Sequence, residues 1–236
     1  MIKPINSLSI IIPIFNEEKR LTKSLIEIKK FIKNKKIEVI FVNDGSVDLS
    51  KKIIQDFVKK NKKINIINLK KNIGKGGALK KGIERAKKQW ILTLDLDLSV
   101  PITQILLWSK NKYIDNNFLI YFGSRSDKKS KIKSKIYRNV IGKTLSILIN
   151  FILRIKIADT QCGFKLYTKS VAKKIFSKIT RLGYEHDIEI VLIARNNNIA
   201  IKELPVSWTH KSGSKVNIIV DSIKVLFSII ILRIRY

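Results

Sequence analysis

Two carboxylates stand one residue apart at Asp95 and Asp97, directly after the apolar run 90–92. Such a run is typical of a buried strand in a parallel sheet, so both aspartates are expected at or just past its carboxyl end. Open α/β sheets bind their ligands at that end. Because the chain has only 18 acidic residues against 48 basic ones, two neighbouring acids need a reason. The most economical is a hard divalent cation, Mg²⁺ or Mn²⁺, which prefers oxygen ligands and often bridges carboxylate to phosphate.

The same spacing also has a purely structural explanation. The pair can cap a helix or stand in a solvated turn, with Pro101 marking the start of a new helix. A D-x-D taken alone favours this explanation, because so short a motif often arises by chance. The segments around it decide between the two.

Strand and helix patterns alternate along the first 100 residues. Strands are predicted over residues 8–14, 36–42, 64–69 and 90–94. Helical patterns follow the first three strands, over 17–32, over a segment ending near 60, and over 74–86. Such alternation is typical of a parallel sheet with right-handed crossovers. The predicted fold class is therefore α/β, of a nucleotide-binding type, with a mostly parallel sheet.

All four predicted strands end in polar or glycine-rich segments on one edge of the sheet, at 13–18, 43–46, 71–76 and 95–97. Glycine in the third segment lets a ligand approach the backbone, and the helix start behind it is expected to offer free N–H groups to an anion. Asp44 suits a hydrogen bond to a base N–H, and Asn16 or Glu17 suits a ribose hydroxyl. The third segment matches neither the P-loop nor the G-x-G-x-x-G pattern. Each end taken singly is ordinary turn chemistry, and their convergence indicates a ligand site.

Composition limits the class of protein. With 236 residues, 45% hydrophobic content and four prolines, the chain is long enough for one α/β domain and shows no linker or repeat. The single cysteine, Cys162, suits a reducing compartment and is expected to be a small buried packing residue. No signal peptide is expected, because residues 1–4 lead directly into a strand. The net charge of +30 indicates a polyanionic partner, which is nucleic acid, an anionic membrane or a phosphorylated substrate.

Several segments together resemble the ordered signature of family-2 glycosyltransferases: 9–18 (SIIIPIFNEE), 42–46 (VNDGS), 74–76 (GKG) and 95–97 (DLD). Those of the second half are similar to the dolichyl-phosphate glucosyltransferase branch, close to dolichyl-phosphate mannose synthases: 122–125 (FGSR), 159–166 (DTQCGFKL), 185–189 (EHDIE), 205–208 (PVSW) and 213–215 (GSK). The resemblance implies a GT-A fold, a nucleotide-sugar donor, a divalent cation and an isoprenoid phosphate acceptor. Two departures are that Asn43 stands where many members have an aspartate, and that no N-terminal membrane anchor is expected.

The resemblance also implies roles for individual residues. Asp97 and Asp95 would hold the metal and, with Asp187, form the catalytic set. Asp187 resembles the position often assigned as the base; orienting the acceptor or sugar, or starting a helix, are its alternatives. The residues implied in donor binding are Pro13, Phe15, Asn16, Glu17, Asp44, Gly74, Lys75 and Asp95. Those implied around the acceptor phosphate and the sugar pocket are Arg125, Arg138, Gln161, Lys165 and Lys215.

Two segments, 141–157 and 216–236, carry amphipathic helical patterns whose apolar arcs are wider than one packing face requires. Neither has the roughly 20 uninterrupted apolar residues of a spanning helix. Both are therefore predicted to lie in the interface of an anionic membrane. Packing on the catalytic domain, or on a second subunit of a homo-oligomer, is the alternative. The GT-A catalytic domain is predicted to cover residues 1–210, and 216–236 a membrane-associated helix.

Three functions are candidates. The first is an inverting transfer of a hexose to a polyprenyl or dolichyl phosphate at the cytoplasmic face of a membrane, by a peripheral or monotopic protein. Glucose from UDP-glucose is the first choice, and mannose from GDP-mannose the second. The second function is transfer by the same family to a soluble sugar or glycan. The third, nucleic-acid binding, is motivated by charge alone, and the chain has no zinc-finger spacing, RNP-like strand or basic tail.

Overall fold

The computed structural model describes residues 7–33, 36–115, 117–133, 147–211 and 218–236, and in α8 it describes side chains from Phe227 onwards. The strands are β1 (Leu8–Ile14), β2 (Ile37–Asn43), β3 (Ile64–Asn68), β4 (Trp90–Thr93), β5 (Ile120–Ser124), β6 (Lys131–Lys133), β7 (Lys165–Thr168), β8 (Ile201–Pro205) and β9 (Ser207–Thr209). The helices are α1 (Glu18–Ile32), α2 (Ser50–Lys59), α3 (Lys75–Arg85), α4 (Gln104–Lys110), α5 (147–153), α6 (Lys169–Lys178), α7 (His186–Asn196) and α8 (Ile218–Arg235).

Seven strands form one sheet in the order β3-β2-β1-β4-β7-β5-β8. β1, β2, β3 and β4 run parallel, as the alternation of strands and helices predicted. β7 runs antiparallel to both of its neighbours, β4 and β5, whereas β8 is parallel to β5. β6 and β9 form a separate parallel pair. The predicted α/β class with a mostly parallel sheet is confirmed.

Helices cover both faces of the sheet, which explains why its strands read as continuous apolar runs. In β1, Ile10 and Ile12 point into a core shared with α1, α2 and α4. Ile11 points the opposite way, into a core shared with α3, α6 and α7. Because both faces are buried, ligands are left the edge at which the strands end.

Of the two segments predicted as amphipathic helices, 141–157 is helical over 147–153 and ends in a turn at Arg154, and 216–236 is helical over 218–235. Residues 141–146 and 216–217 lie outside the described residues. Ile229 and Leu232 of α8 are buried in the same core as α3 and α7. Ser228 is buried beside them, although serine is a polar residue. Since α8 is apolar on more than one face, periodicity alone did not decide which face packs on the domain.

Both helices also expose large apolar side chains. The most exposed of these are Phe227, Ile230 and Ile234 on α8, of which Ile234 is 83% exposed, and Ile147 and Phe151 on α5. We call these five side chains the apolar face. The helices contact each other, since the Arg233 guanidinium donates to the carbonyl of Ile152 at 3.1 Å. Among the described residues, no helix has the length and apolar character needed to span a bilayer.

Candidate active site

The paired aspartates follow β4 at the edge of the sheet where β1 and β2 also end. Asp95 forms an ion pair with Lys75, the first residue of α3, with 2.7 Å between Oδ1 and Nζ. Oδ1 of Asp97 accepts the N–H of Ser99 at 2.9 Å, and Leu98 between them has a positive φ of 52°. Asp97 therefore does brace a tight turn, as the structural explanation required. Both carboxylates nevertheless stay accessible, Asp95 at 41% and Asp97 at 22%.

Lys75 joins the donor side of the site to Asp187 as well. Burial disfavours its charge, but Asp95 and then Asp187 outweigh burial and raise its pKa. The ammonium also lies over the ring of Tyr184, 5.9 Å from the centroid. Lys75 is therefore a cation at neutral pH, placed directly beside the first aspartate of the pair.

Gly163, in the segment that precedes β7, packs directly on the Asp95 carboxylate. A Cβ at this position would lie 2.1 Å from Oδ2 of Asp95. The carbonyl of Gly163 also accepts the hydroxyl of Thr93 at 3.0 Å, which ties the segment to the end of β4. Only a residue without a side chain leaves room for Asp95 in its observed position.

The loop from β3 to α3 is arranged differently from the expected anion site. The Asp44 carboxylate accepts the N–H groups of residues 73–74 at 2.8 and 3.0 Å. The carbonyl of Leu182 accepts those of residues 76–77 at 2.8 and 3.2 Å. The prediction that this helix start offers free N–H groups is wrong for these four, because distant parts of the chain satisfy them. Burial raises the pKa of Asp44, against the lowering effect of its two N–H donors.

The loops after β1 and β2 lock into each other. Oδ1 of Asn16 accepts the N–H of Val47 at 2.9 Å, while Ser46 accepts the N–H of Asn16 at 2.9 Å. The N–H of Glu17 donates to Ser50 at 2.7 Å. Asn16 and Glu17 thus hold these two loops together at the place where a ribose was expected, with Phe15 38% exposed next to them. Pro13 is the half-buried sixth residue of β1.

Arg20 in the first turn of α1 was not singled out from the sequence. Its Nε donates to Oε2 of Glu17 at 2.7 Å and its Nη2 donates to Oε1. Nη1 lies 3.8 Å from Oδ2 of Asp97. Burial alone would lower the pKa of Arg20. The negative charges of Glu17, and then of Asp97 and Asp95, outweigh burial and raise this pKa. The guanidinium therefore stands between an acid expected to bind the donor and one expected to bind the metal.

Arg125 at the end of β5 is fixed by a two-pronged ion pair. Its Nε and Nη2 donate to Asp159 at 2.7 and 2.8 Å, and its backbone N–H donates to the same carboxylate at 2.9 Å. Asp159 is buried, and its pKa is lowered because Arg125 outweighs the effect of burial. Glu203 of β8 holds the backbone of residues 158–159. The Arg125 side chain stays 37% exposed and lies 5.7 Å from the Trp208 ring centroid.

The other acceptor-side predictions have different outcomes. Arg138 and Lys215 lie outside the described residues. Gln161 is half-buried, and its backbone N–H donates to Asp159. Cys162 is buried, and burial raises the pKa of its thiol to about 12, so it stays protonated as a packing residue.

Lys165, expected to line the sugar pocket, is instead buried with a side chain only 1% exposed. Its ammonium donates to Oδ1 of Asp187 at 2.5 Å, and His186 Nε2 lies 3.3 Å from the same oxygen. Burial alone would raise the pKa of Asp187, but His186, Lys165 and Lys75 together lower it. Asp187 is thus an ionised, ion-paired carboxylate, and a weak proton acceptor.

A model of the family described as "Glycosyl transferase family 2" matches residues 9–176. The chain belongs to that family. The match covers all of the strand-end segments, from the loop after β1 to the segment that carries Asp159, Gly163 and Lys165.

Curated relatives of this glycosyltransferase are named dolichyl-phosphate beta-glucosyltransferase. The one from Dictyostelium discoideum is 34% identical over 97% of the chain and 74% of its own length. Those from Homo sapiens and Saccharomyces cerevisiae are each 31% identical, over 99% and 97% of the chain and 76% and 75% of their own lengths. The predicted membership of this branch is confirmed.

Solved structures show the fold of the glycosyltransferase. Glucosyl-3-phosphoglycerate synthase from Mycobacterium tuberculosis in complex with Mn²⁺ and UDP-glucose superposes with a TM-score of 0.70 at 12% identity, over 97% of this chain and 79% of that one. The complex of the same synthase with UDP gives 0.68 at 14% identity, over 97% and 80%. At these identities the likeness concerns the fold alone, which is of the predicted GT-A type.

Proposed function

We propose that this glycosyltransferase moves glucose from UDP-glucose to a dolichyl or polyprenyl phosphate and gives a β-linked lipid phosphate sugar. The activity named for its relatives, at 31–34% identity over nearly the whole chain, supports this. The structural observation that carries it is the position of segment 159–166, the part most specific to the branch. Near the start of this segment Asp159 forms an ion pair with Arg125, and further along it Gly163 packs on Asp95. One segment thereby couples an acceptor-side cation to the donor-side acids.

The donor is proposed to lie along the ends of β1, β2 and β4. Its nucleoside would contact the interlocked loops that contain Pro13, Phe15, Asn16, Glu17 and Asp44. Gly74 and Lys75 would face its diphosphate. Gly74 has a positive φ of 91° and lies so close to the carbonyl of Leu182 that a Cβ would be 2.4 Å from it, so a side chain is excluded at this point.

The residues at the end of β4 fit a divalent cation. Asp95 and Asp97 offer hard oxygen donors, which Mg²⁺ and Mn²⁺ prefer, and both are partly accessible. Among the described residues no group of three or more His, Cys, Asp or Glu side chains is placed to hold a metal. Asp95 and Asp97 are the residues that would hold the ion. When bound, the ion acts as a Lewis acid towards the negative charge of the leaving diphosphate.

The acceptor phosphate is proposed to meet Arg125. Asp159 fixes the Arg125 guanidinium in one orientation, and such planar guanidinium groups suit phosphate oxygens. A phosphate is already ionised at neutral pH, so attack on the anomeric carbon needs no general base. This agrees with the lowered pKa of Asp187. We assign Asp187 the orienting role, in which it holds Lys165 and, through the charge of Lys75, steadies Asp95.

The product is expected to have the inverted anomeric configuration. The acceptor oxygen attacks opposite the departing diphosphate, so an α-linked donor gives a β-linked lipid phosphate sugar in one displacement. NMR of the lipid product made from UDP-glucose and a short polyprenyl phosphate measures the anomeric coupling. An α-linked product, or a trapped glycosyl-enzyme adduct, would contradict single displacement.

The enzyme is further proposed to meet its lipid acceptor as a peripheral protein on the cytoplasmic face of a membrane. The apolar face of α5 and α8 supports this, because its side chains are 58–83% exposed on helices whose other sides are packed in the core. Arg233 and Arg235 lie among these residues on α8 and suit anionic headgroups. A second subunit of the same chain is the alternative partner for this surface.

We expect the double substitution Phe227→Glu and Ile230→Glu to lower binding to anionic vesicles and transfer to long lipid acceptors. It removes exposed apolar area while leaving the buried side of α8 intact. Transfer to a short, water-soluble acceptor should be unchanged. Vesicle flotation and rates on both acceptors are measured, with Ile26→Glu on α1, also half exposed, as the control. Unchanged vesicle binding, together with a smaller particle size in solution, would instead assign the apolar face to subunit contact.

A further inference from the structure

Arg20 presents one unpaired nitrogen to the paired aspartates. Glu17 engages Nε and Nη2, so the guanidinium plane is fixed and Nη1 is the nitrogen directed away from that fork. Nη1 is buried and has no hydrogen-bond acceptor among the described residues. Oδ2 of Asp97 is 3.8 Å away, which is within ion-pair range but too far for a hydrogen bond. A buried donor left unpaired at the edge of a site requires an explanation, and a ligand that supplies the acceptor is one.

Each of the two aspartates has a basic side chain beside it. Lys75 forms an ion pair with Asp95, and Arg20 lies within ion-pair range of Asp97. The cations come from different helices, Lys75 from the start of α3 and Arg20 from the start of α1. If a divalent cation bound Asp95 and Asp97, it would replace Lys75 and Arg20 as their partner. Both basic side chains would then be available to a diphosphate bound at the same place.

We propose that Arg20 binds the diphosphate of the sugar donor and stabilises it as a leaving group, together with Lys75. This inference rests on the proposed function, since its ligand is a nucleoside diphosphate. An unpaired guanidinium N–H makes a charge-assisted hydrogen bond to a phosphate oxygen. As the acceptor oxygen bonds to the anomeric carbon, the bond to the diphosphate breaks and its electron pair stays on the diphosphate oxygen. The fixed charge of Arg20 balances that negative charge and gives up no proton.

A purely structural role for Arg20 makes a different set of predictions. If the side chain only braced α1 against Asp97, its loss would weaken the protein and misplace a metal ligand, so metal and nucleotide affinity would fall together. If it binds diphosphate, its loss weakens nucleotide binding, while the removal of a positive charge near Asp97 strengthens binding of a free cation. Opposite changes in the two affinities are the signature of the proposed role.

The experiment compares Arg20→Met with Lys23→Met, which removes the same charge from an exposed position one turn further along α1. UDP binding is measured by calorimetry at saturating Mn²⁺, and Mn²⁺ binding to the nucleotide-free protein by electron paramagnetic resonance. We expect Arg20→Met to weaken UDP binding by about 10- to 100-fold relative to the control, and to tighten Mn²⁺ binding severalfold. Arg20→Lys, which keeps the charge but not the fork on Glu17, should recover most of the UDP affinity.

Two results would overturn the role of Arg20. One is UDP binding by Arg20→Met equal to that of Lys23→Met. The other is a parallel loss of UDP and Mn²⁺ affinity in both Arg20→Met and Arg20→Lys. That result would mean that Arg20 only braces α1 against Asp97. If the unsubstituted protein binds GDP in place of UDP, the same comparison is made with GDP, because the diphosphate is common to both. If it binds neither nucleotide in the presence of Mn²⁺, the proposed donor itself is wrong.

Discussion

Replacing Asp97 with asparagine is expected to abolish transfer and leave the fold intact. The substitution removes one anionic ligand and keeps the size of the side chain, and its amide oxygen still accepts the N–H of Ser99. Losing that charge beside the leaving diphosphate should cost about 3 kcal/mol or more of transition-state stabilisation, hence at least about 100-fold in rate. Initial rates of formation of the lipid-linked sugar measure the effect, and thermal unfolding followed by circular dichroism checks the fold.

The control for this experiment is Asp56→Asn, the same exchange at an exposed aspartate of α2 that forms an ion pair with Lys59. An exposed ion pair of this kind contributes little to stability, so both rate and melting temperature should stay close to those of the unsubstituted protein. Near-normal turnover of Asp97→Asn, or full activity of the unsubstituted protein in excess chelator, would exclude the metal-dependent mechanism.

Adding a single methyl group at Gly163 should be almost as damaging. In Gly163→Ala the new carbon would lie 2.1 Å from Oδ2 of Asp95, so the carboxylate must leave its observed position beside Lys75. We expect transfer to fall by about 10- to 100-fold because a displaced metal ligand loses its alignment with the donor. The free energy of unfolding should fall by at most about 2 kcal/mol, since Asp95 is partly exposed and can turn.

Gly183→Ala is the matched control for Gly163→Ala. Its Cβ would also meet a carboxylate oxygen, at 2.4 Å, but that oxygen is the end of the flexible side chain of Glu185 and can turn aside. Rate and Mn²⁺ affinity are measured for both variants. If Gly163→Ala retains the activity of Gly183→Ala, the close approach of segment 159–166 to Asp95 does not position the catalytic acid.

The first half of the fold could be predicted from the sequence because β1, β2 and β4 are mostly buried and read as apolar runs. A polar or glycine-rich segment follows each strand and marks its end. β1 begins and ends where it was predicted, and β2 is displaced by one residue. The antiparallel insertion of β7 between β4 and β5 was not foreseen. Pairing partners are selected by packing between distant segments, and the apolar pattern of a short strand does not contain that information.

The sequence predicted several residues of the candidate site but not the contacts that they make. Asp95 and Asp97 could be found because two acids at the end of an apolar strand are unusual in so basic a chain. Arg20 was missed because one arginine among 48 basic residues has no signal of its own. The signal that was available is its spacing from Glu17, which puts the two side chains on one face of a helix.

The helix start at Gly74 shows the limit of a local argument. Glycines and a helix start do favour an anion, yet Asp44 and Leu182, which are 30 and more than 100 residues away, take the N–H groups first. In the same way the sequence of α8 shows an apolar arc wider than one packing face requires, but the contacts of Ile229 and Leu232 with the core decide which part of that arc is buried.

The most direct test of the proposed function offers the purified protein a panel of nucleotide sugars with a short polyprenyl phosphate and Mg²⁺ or Mn²⁺. Mass spectrometry of the lipid fraction then identifies any sugar that is attached. We expect a hexosyl lipid phosphate with UDP-glucose, and none when the divalent cation is removed. A lipid-linked product with GDP-mannose alone would mean that the donor is GDP-mannose and not UDP-glucose. Transfer to a soluble glycan with no lipid-linked product would contradict the proposed function.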